Sequence, residues 1–165
     1  MSASGSFGVN GNKTWDGVTI PLPAKLMDIG EDPNGRWLFV QADGAITRYD
    51  FVIITKDGQA SSVTQTNDGT TLIQGGAAQV AALDNEYLWV WVGGTAAGGS
   101  GSGIKGRVAA NCVGGAAIYT TTTAGVADDD ATAPAVKFAN VVTCVTTTPA
   151  AAVELYAVDT IRLNA

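Results

Sequence analysis

Six residues match the glycine pattern of dinucleotide-binding proteins. Gly101-Ser102-Gly103-Ile104-Lys105-Gly106 has the spacing G-x-G-x-x-G, and an acidic run, Asp128-Asp129-Asp130, follows further along the chain. A dinucleotide site needs a helix that starts in this loop, because the helix N-terminus holds the pyrophosphate. The segment that follows, RVAANCVGGAAIYTTTT, has a glycine pair and a β-branched run instead of a helical pattern. The sequence therefore argues against a nucleotide site, and we expect no cofactor.

The acidic run Asp128–Asp130 is the strongest candidate for binding a hard cation such as calcium. An EF-hand loop starting at Asp128 would need glycine at its sixth position and glutamate at its twelfth. Those positions hold Ala133 and Ala139, so the EF-hand is excluded. Two interpretations remain, a solvated turn and an irregular ion site. We predict no regular metal site.

Residues for covalent or acid–base catalysis are scarce. The sequence has no histidine and no G-x-S-x-G motif, so no serine or cysteine has the usual activating base. Glutamate occurs only as Glu31, Glu86 and Glu154, and half of the twelve aspartates stand beside Gly, Asn or Pro, as turn-forming residues do. We therefore predict that the protein is not an enzyme.

Composition narrows the choice of partners. The 165 residues carry a net charge of −6 and only 15% charged residues. An acidic chain is a poor ligand for nucleic acid or for an anionic membrane surface, so we expect neither as a partner. The N-terminus, MSASGSFGVNG, lacks the basic and apolar regions of a signal peptide. Cys112 and Cys144 are expected as buried thiols, with a disulfide as the alternative.

The elements around these residues read as β-strands. The segment Arg36–Gly58, RWLFVQADGAITRYDFVIITKDG, has two aromatic and β-branched runs around Asp43-Gly44, which predicts a β-hairpin. A second turn is expected at Asp57-Gly58, and a bulge or bend at Gly75-Gly76.

The segment Glu86–Val92, EYLWVWV, is the most hydrophobic strand. Its period of two places Tyr87, Trp89 and Trp91 on one face and three aliphatic residues on the other, so it should be central or meet a partner. The aromatic residues are expected mostly in the core, although a sugar- or protein-binding platform is the alternative. In total the pattern predicts an all-β fold, a small barrel or sandwich of about nine or ten short antiparallel strands over residues 36–165. No repeat of roughly 20–50 residues is visible.

Residues 1–35 are predicted to form an extended N-terminal arm. They show no lasting period, yet they carry more apolar residues than disordered tails do. Such an arm becomes ordered only against a surface, either its own domain or a neighbouring subunit, and the sequence leaves both open. Our candidate partner-binding anchors in the arm are Phe7, Trp15, Ile20, Leu22 and Leu26.

The order of several segments resembles small structural proteins of tailed bacteriophages, of the head decoration (capsid cement) kind. The resemblance covers roughly residues 27–145 and rests on turn and strand patterns rather than catalytic signatures. The segments that carry it are RWLFVQA, GAITRYDFV, KDGQA, GAAQVA, NEYLWVWV and AAIYTTTTAG.

The resemblance implies a non-enzymatic virion protein, made in the host cytoplasm and bound to the outer surface of the capsid. Its partners would be the major capsid protein and further copies of itself in a homotrimer, and it would stabilise the shell by bridging capsid subunits. One alternative is a carbohydrate-binding or host-adhesion module, which an exposed row at Tyr87, Trp89 and Trp91 would favour. Another is a head–tail component of the virion.

Overall fold

The computed structural model describes residues 9–65, 72–94, 103–132, 135–143, 146–147 and 149–164. All regular structure in this part of the chain is β-strand, which confirms the predicted all-β class. The twelve strands described are β1 Thr14–Trp15, β2 Ile29–Asp32, β3 Gly35–Ala42, β4 Phe51–Thr55, β5 Gln59–Ser62, β6 Leu72–Ala78, β7 Tyr87–Gly93, β8 Lys105–Val108, β9 Ala117–Thr120, β10 Ala127–Asp128, β11 Lys137–Thr143 and β12 Ala151–Asn164.

Strands β3 to β7 close into a small barrel, here called the N-terminal barrel. Going around it, β3 pairs with β5, β5 with β4, β4 with β6, β6 with β7, and β7 again with β3. The β3–β5 pairing is parallel and the other four are antiparallel. The prediction of a purely antiparallel fold therefore needs this correction.

Strands β8 to β12 form a second closed circuit, here called the C-terminal ring, with the same connectivity. β8 pairs with β10 in parallel, and β10–β9, β9–β11, β11–β12 and β12–β8 are antiparallel. Strands β8 to β12 thus correspond in order to β3 to β7, and corresponding strands have corresponding partners. The protein contains an internal structural duplication.

Register and burial agree between the two copies. In the barrel, Ala60 pairs with Ala42 on one side and with Ile54 on the other. In the ring, Ala127 pairs in the same way with Val108 and Thr120. All six residues are at most 1% exposed, so these interior positions correspond although most of the residue types differ.

The two faces of β7 belong to different apolar clusters, as its period of two predicted. Leu88, Val90 and Val92 lie in the cluster that fills the barrel, whereas Trp89 and Trp91 lie in the cluster on its outside. Both tryptophans are fully buried. The strand is central, because it pairs with β3 along its length and with β1, β6 and β12 at one or two positions each.

The seam between barrel and ring is a packed core. Phe51, on the barrel, stacks obliquely on Phe138 of the ring with 4.8 Å between ring centroids. Gly106 of β8 leaves room for it, since a Cβ there would lie 2.5 Å from Phe51 Cζ. Asp50 is buried at the same seam and pairs with Arg107 of the ring.

Two local predictions were wrong and one is confirmed. Asp43-Gly44 does not join a hairpin, because β3 pairs with β2, β5 and β7 and not with β4. Gly75 and Gly76 continue the regular β4–β6 ladder, whose register shifts only next to Thr55. The turn at Asp57-Gly58 does connect two antiparallel strands, β4 and β5.

Candidate functional site: the N-terminal arm and its apolar loop

Trp15 fixes the N-terminal arm to the barrel. Thr14 and Trp15 pair with Leu88 and Tyr87 of β7. The Trp15 ring is 6% exposed and makes an edge contact with Phe39 at a centroid distance of 5.7 Å. Trp15 therefore belongs to the core of its own chain, and its indole is not presented to a partner.

A tight turn after Trp15 is held by Asp16. One carboxylate oxygen accepts the backbone N–H groups of Val18 and Thr19, each at 2.9 Å, and the other accepts the Thr19 hydroxyl. The hydroxyl bond, with the two amides, lowers the pKa of Asp16 to about 2. The direction follows from charge, because hydrogen bonds to a carboxylate favour its ionised form.

The chain then runs through a segment that we call the apolar loop, residues 16–29. Seven large hydrophobic side chains are exposed among the described residues, and five of them lie in this short segment. They are Val18 at 89%, Ile20 at 41%, Leu22 at 38%, Leu26 at 37% and Ile29 at 63% exposure. Clustered exposed apolar residues mark an interaction surface far better than scattered ones do.

The end of the apolar loop is tied back to the barrel. The Met27 N–H donates to the Phe39 carbonyl at 2.8 Å, and the Phe39 N–H donates to the Asp28 carbonyl at 3.0 Å. The chain continues as β2, which pairs with β3 from Ile29 to Asp32. Because the loop is fixed at both ends, it presents its apolar side chains with less conformational freedom than a free tail would have.

The predicted anchors are thus divided. Ile20, Leu22 and Leu26 are exposed in the apolar loop, Trp15 is buried in cis, and Phe7 lies outside the described residues. Val18 and Ile29 were not among the predicted anchors, although they are the most exposed members of the group. The alternation of apolar residues at positions 18, 20 and 22 is the sequence signal that could have identified Val18.

The other residues that could do chemistry are also placed. Gly103–Gly106 lead into a strand, β8, so the part of the glycine motif that the structure describes does not open a helix. The ligand atoms of Cys112, Asp128 and Asp129 lie within 4.8 Å of one another, a grouping that the sequence did not predict. Burial raises the pKa of Asp128, and the charges of its two acidic neighbours act in the same direction. Cys112 is buried, and Cys144 lies outside the described residues.

This thiol–carboxylate grouping is short of a recognisable ion site. Calcium takes six to eight oxygen ligands, whereas a thiolate suits softer ions. The three groups supply two carboxylates and one sulfur, and Asp129 donates its backbone N–H to Asp128 at 2.9 Å. The described residues therefore favour neither of the two interpretations of the acidic run.

The aromatic row that would make a sugar-binding platform is not on the surface. Trp89 and Trp91 are fully buried, and Tyr87 is half-buried beneath the arm, stacked on Phe39 at 6.0 Å between centroids. The Trp91 indole N–H donates to the Asn34 carbonyl at 2.9 Å, so its polar edge is used within the fold.

No known protein-family profile matches this sequence, and no curated protein sequence matches it. Within the described ranges, no helix has the length and hydropathy required to cross a membrane.

Proposed function

We propose that this chain is a non-enzymatic structural protein of a tailed-bacteriophage virion, which binds the outer surface of the capsid and bridges neighbouring major capsid subunits. The observation that carries the proposal is the apolar loop: most of the exposed large hydrophobic side chains in the described residues are gathered in residues 16–29. The sequence resemblance to head decoration proteins supplies the virion context.

The charge of the chain supports an outer position. At a net charge of −6, the protein would be repelled by the packaged DNA inside a phage head. Its low content of charged residues, 15%, suits a surface that makes repeated protein contacts. In this proposal the apolar loop fills a groove on the capsid, and homotrimers place three such loops around one position.

Bridging would stabilise the shell by mass action. A protein that binds the assembled lattice and not its separated subunits shifts the equilibrium toward the lattice. No chemistry is required of the bound protein, which agrees with the prediction that it is not an enzyme.

The test compares two matched pairs of substitutions on phage heads prepared without this protein. One variant carries Val18→Ser and Ile20→Ser in the apolar loop. The control carries Leu83→Ser and Val113→Ser, which replace the other two exposed large hydrophobics, at 69% and 50% exposure. Burial of each aliphatic side chain contributes about 1–2 kcal/mol, so the loop variant should bind heads roughly 30- to 1,000-fold more weakly.

Co-sedimentation with heads measures the binding, and sedimentation equilibrium measures the trimer. The control variant should bind as the unaltered protein does. Equal binding by the loop variant would refute the role of the loop, and failure of the unaltered protein to bind any head would refute the proposed function. A strong glycan-array signal in that last case would favour the adhesion alternative.

A further inference from the structure

A strained tyrosine lies on the surface where barrel and ring meet. Tyr49 has φ 71°, in the left-handed region that a bulky side chain rarely adopts. The corresponding position in the C-terminal ring is Gly115, with φ 78°, and a Cβ there would have open space around it. The two turns correspond, because Asp50 N–H donates to Thr47 C=O in one and Ala116 N–H to Val113 C=O in the other. The fold accepts glycine at this point, and the barrel nevertheless carries an aromatic ring.

The Tyr49 ring holds two cations. The Arg48 guanidinium carbon lies 4.7 Å from the ring centroid, and the Lys105 ammonium lies 5.9 Å from it. Arg48 Nε also donates to the Gln79 carbonyl at 3.0 Å. The Tyr49 ring and the Gln79 carbonyl therefore hold the guanidinium in place, although Arg48 as a whole is exposed.

The nearby carboxylates do not use this arginine. Asp50 is buried and accepts from Arg107, the Thr47 N–H and the Ser62 hydroxyl. Glu154 faces Lys105 in the β8–β12 ladder and has a contact of its own. In an acidic protein, Arg48 thus stays without a carboxylate partner among the described residues.

We infer that Arg48 and Tyr49 form an interface hot spot that binds a carboxylate side chain, Asp or Glu, of a partner protein. The terminal nitrogens of a guanidinium match a carboxylate in a bidentate pair, and Arg and Tyr are the residue types that dominate hot spots. A single carboxylate is favoured over a polyphosphate because the net charge of −6 repels a polyanion. The site is distinct from the apolar loop, and its test uses no phage heads.

The test uses the peptide Ac-Gly-Glu-Gly-NH2, which carries a single carboxylate, as the probe, with Ac-Gly-Gln-Gly-NH2 as its neutral match, at constant ionic strength. Binding is followed in ¹H–¹⁵N spectra through the backbone N–H signals of residues 48 and 49, which every variant retains. We expect saturable shifts with the glutamate peptide and none with the glutamine peptide. Arg48→Gln should weaken binding about tenfold or more, as loss of a charge-assisted bidentate pair implies. Tyr49→Gly, which installs the residue of the ring copy, should weaken it about threefold to tenfold, as loss of a cation–π contact implies.

The control variant is Arg162→Gln, which removes another exposed arginine, on β12. It should bind the glutamate peptide as the unaltered protein does. Equal shifts with both peptides, equal losses in Arg48→Gln and Arg162→Gln, or tighter binding of inorganic phosphate than of the glutamate peptide would each overturn the inference. If Tyr49→Gly fails to fold, the comparison of Arg48→Gln with Arg162→Gln decides alone.

Discussion

A methyl group at Gly106 should destabilise the protein, because it would collide with side chains from both halves. An ideal Cβ there lies 2.5 Å from Phe51 Cζ, 2.7 Å from Phe51 Cε2 and 2.8 Å from Leu155 Cδ1. In a strand, alanine is otherwise better than glycine by about 0.5–1 kcal/mol, so the sign depends on whether the collision can relax. Phe51 is fully buried against Phe138, so it has little room to move. We expect Gly106→Ala to lower the free energy of unfolding by about 1–3 kcal/mol.

Urea unfolding followed by tryptophan fluorescence measures this loss, and the melting temperature should fall by about 2–4 °C for each kcal/mol. Phe51→Leu supplies the second side of a double-mutant cycle, because it removes the ring atoms that the methyl group would meet. In the Phe51→Leu background, Gly106→Ala should cost at least about 1 kcal/mol less than in the unaltered protein. An equal cost in both backgrounds, or a gain in stability from Gly106→Ala alone, would refute the packing argument.

Three further predictions concern polar contacts. Asp50→Asn should lower the free energy of unfolding by about 3 kcal/mol, near the low end for a broken buried ion pair, because the arginine partner is 31% exposed. As the control, Asp57→Asn breaks an ion pair whose two side chains are each about 70% exposed, and it should change the free energy of unfolding by less than about 0.5 kcal/mol in the same urea assay. Thr19→Val should raise the pKa of Asp16 from about 2 toward 3.8 in a ¹³C-carboxyl titration, because it removes the hydroxyl bond and keeps the backbone N–H donors. A lowered pKa stabilises the folded turn above pH 3.8, and this stabilisation is lost as the pH falls toward 2, so the variant should show a smaller acid dependence of stability. Gln79→Ala removes a side-chain amide that forms two hydrogen bonds with the backbone of Lys105, the first residue of β8. In the variant, the Lys105 N–H should therefore undergo hydrogen exchange with solvent faster than the N–H groups of its neighbours.

Strand identity and face were predictable where the signal was local. The alternation in β7 assigned Trp89 and Trp91 to one face and Leu88, Val90 and Val92 to the other, and the structure buries them in two separate clusters. Period-two patterning works because one face of a strand is fixed relative to the other by backbone geometry alone.

Pairing partners were not predictable where they lie far apart in sequence. After β3, the Asp43 N–H donates to the Ala60 carbonyl, so the chain at Asp43-Gly44 is held by β5 rather than by a turn into β4. A turn signal reports only the local backbone preference, whereas the closure of the barrel is decided by distant strands.

The duplication is not visible in the sequence because the two copies share positions but few residue types. Ile46 and Cys112 are equivalent, since each forms a backbone hydrogen bond to the segment before the closing strand, at Ala82 and Thr147 respectively.

The candidate site was predictable only in part. The sequence identified an apolar arm, but whether Trp15 or Ile20 is exposed depends on how the arm packs, which composition does not encode.

The duplicated circuit also orders events during synthesis. Once β7 has left the ribosome, the N-terminal barrel has all five of its strands, yet Phe51 on its outer face still lacks Phe138, and Gly75 still lacks the neighbouring Ile161 of β12. The nascent barrel would therefore expose an apolar surface until the C-terminal ring is translated, and Trp15 would cover only the part of that surface near Phe39. This chain should be most prone to aggregate or to bind chaperones while the residues between β7 and β12 are being translated, and slow translation there would lengthen that period.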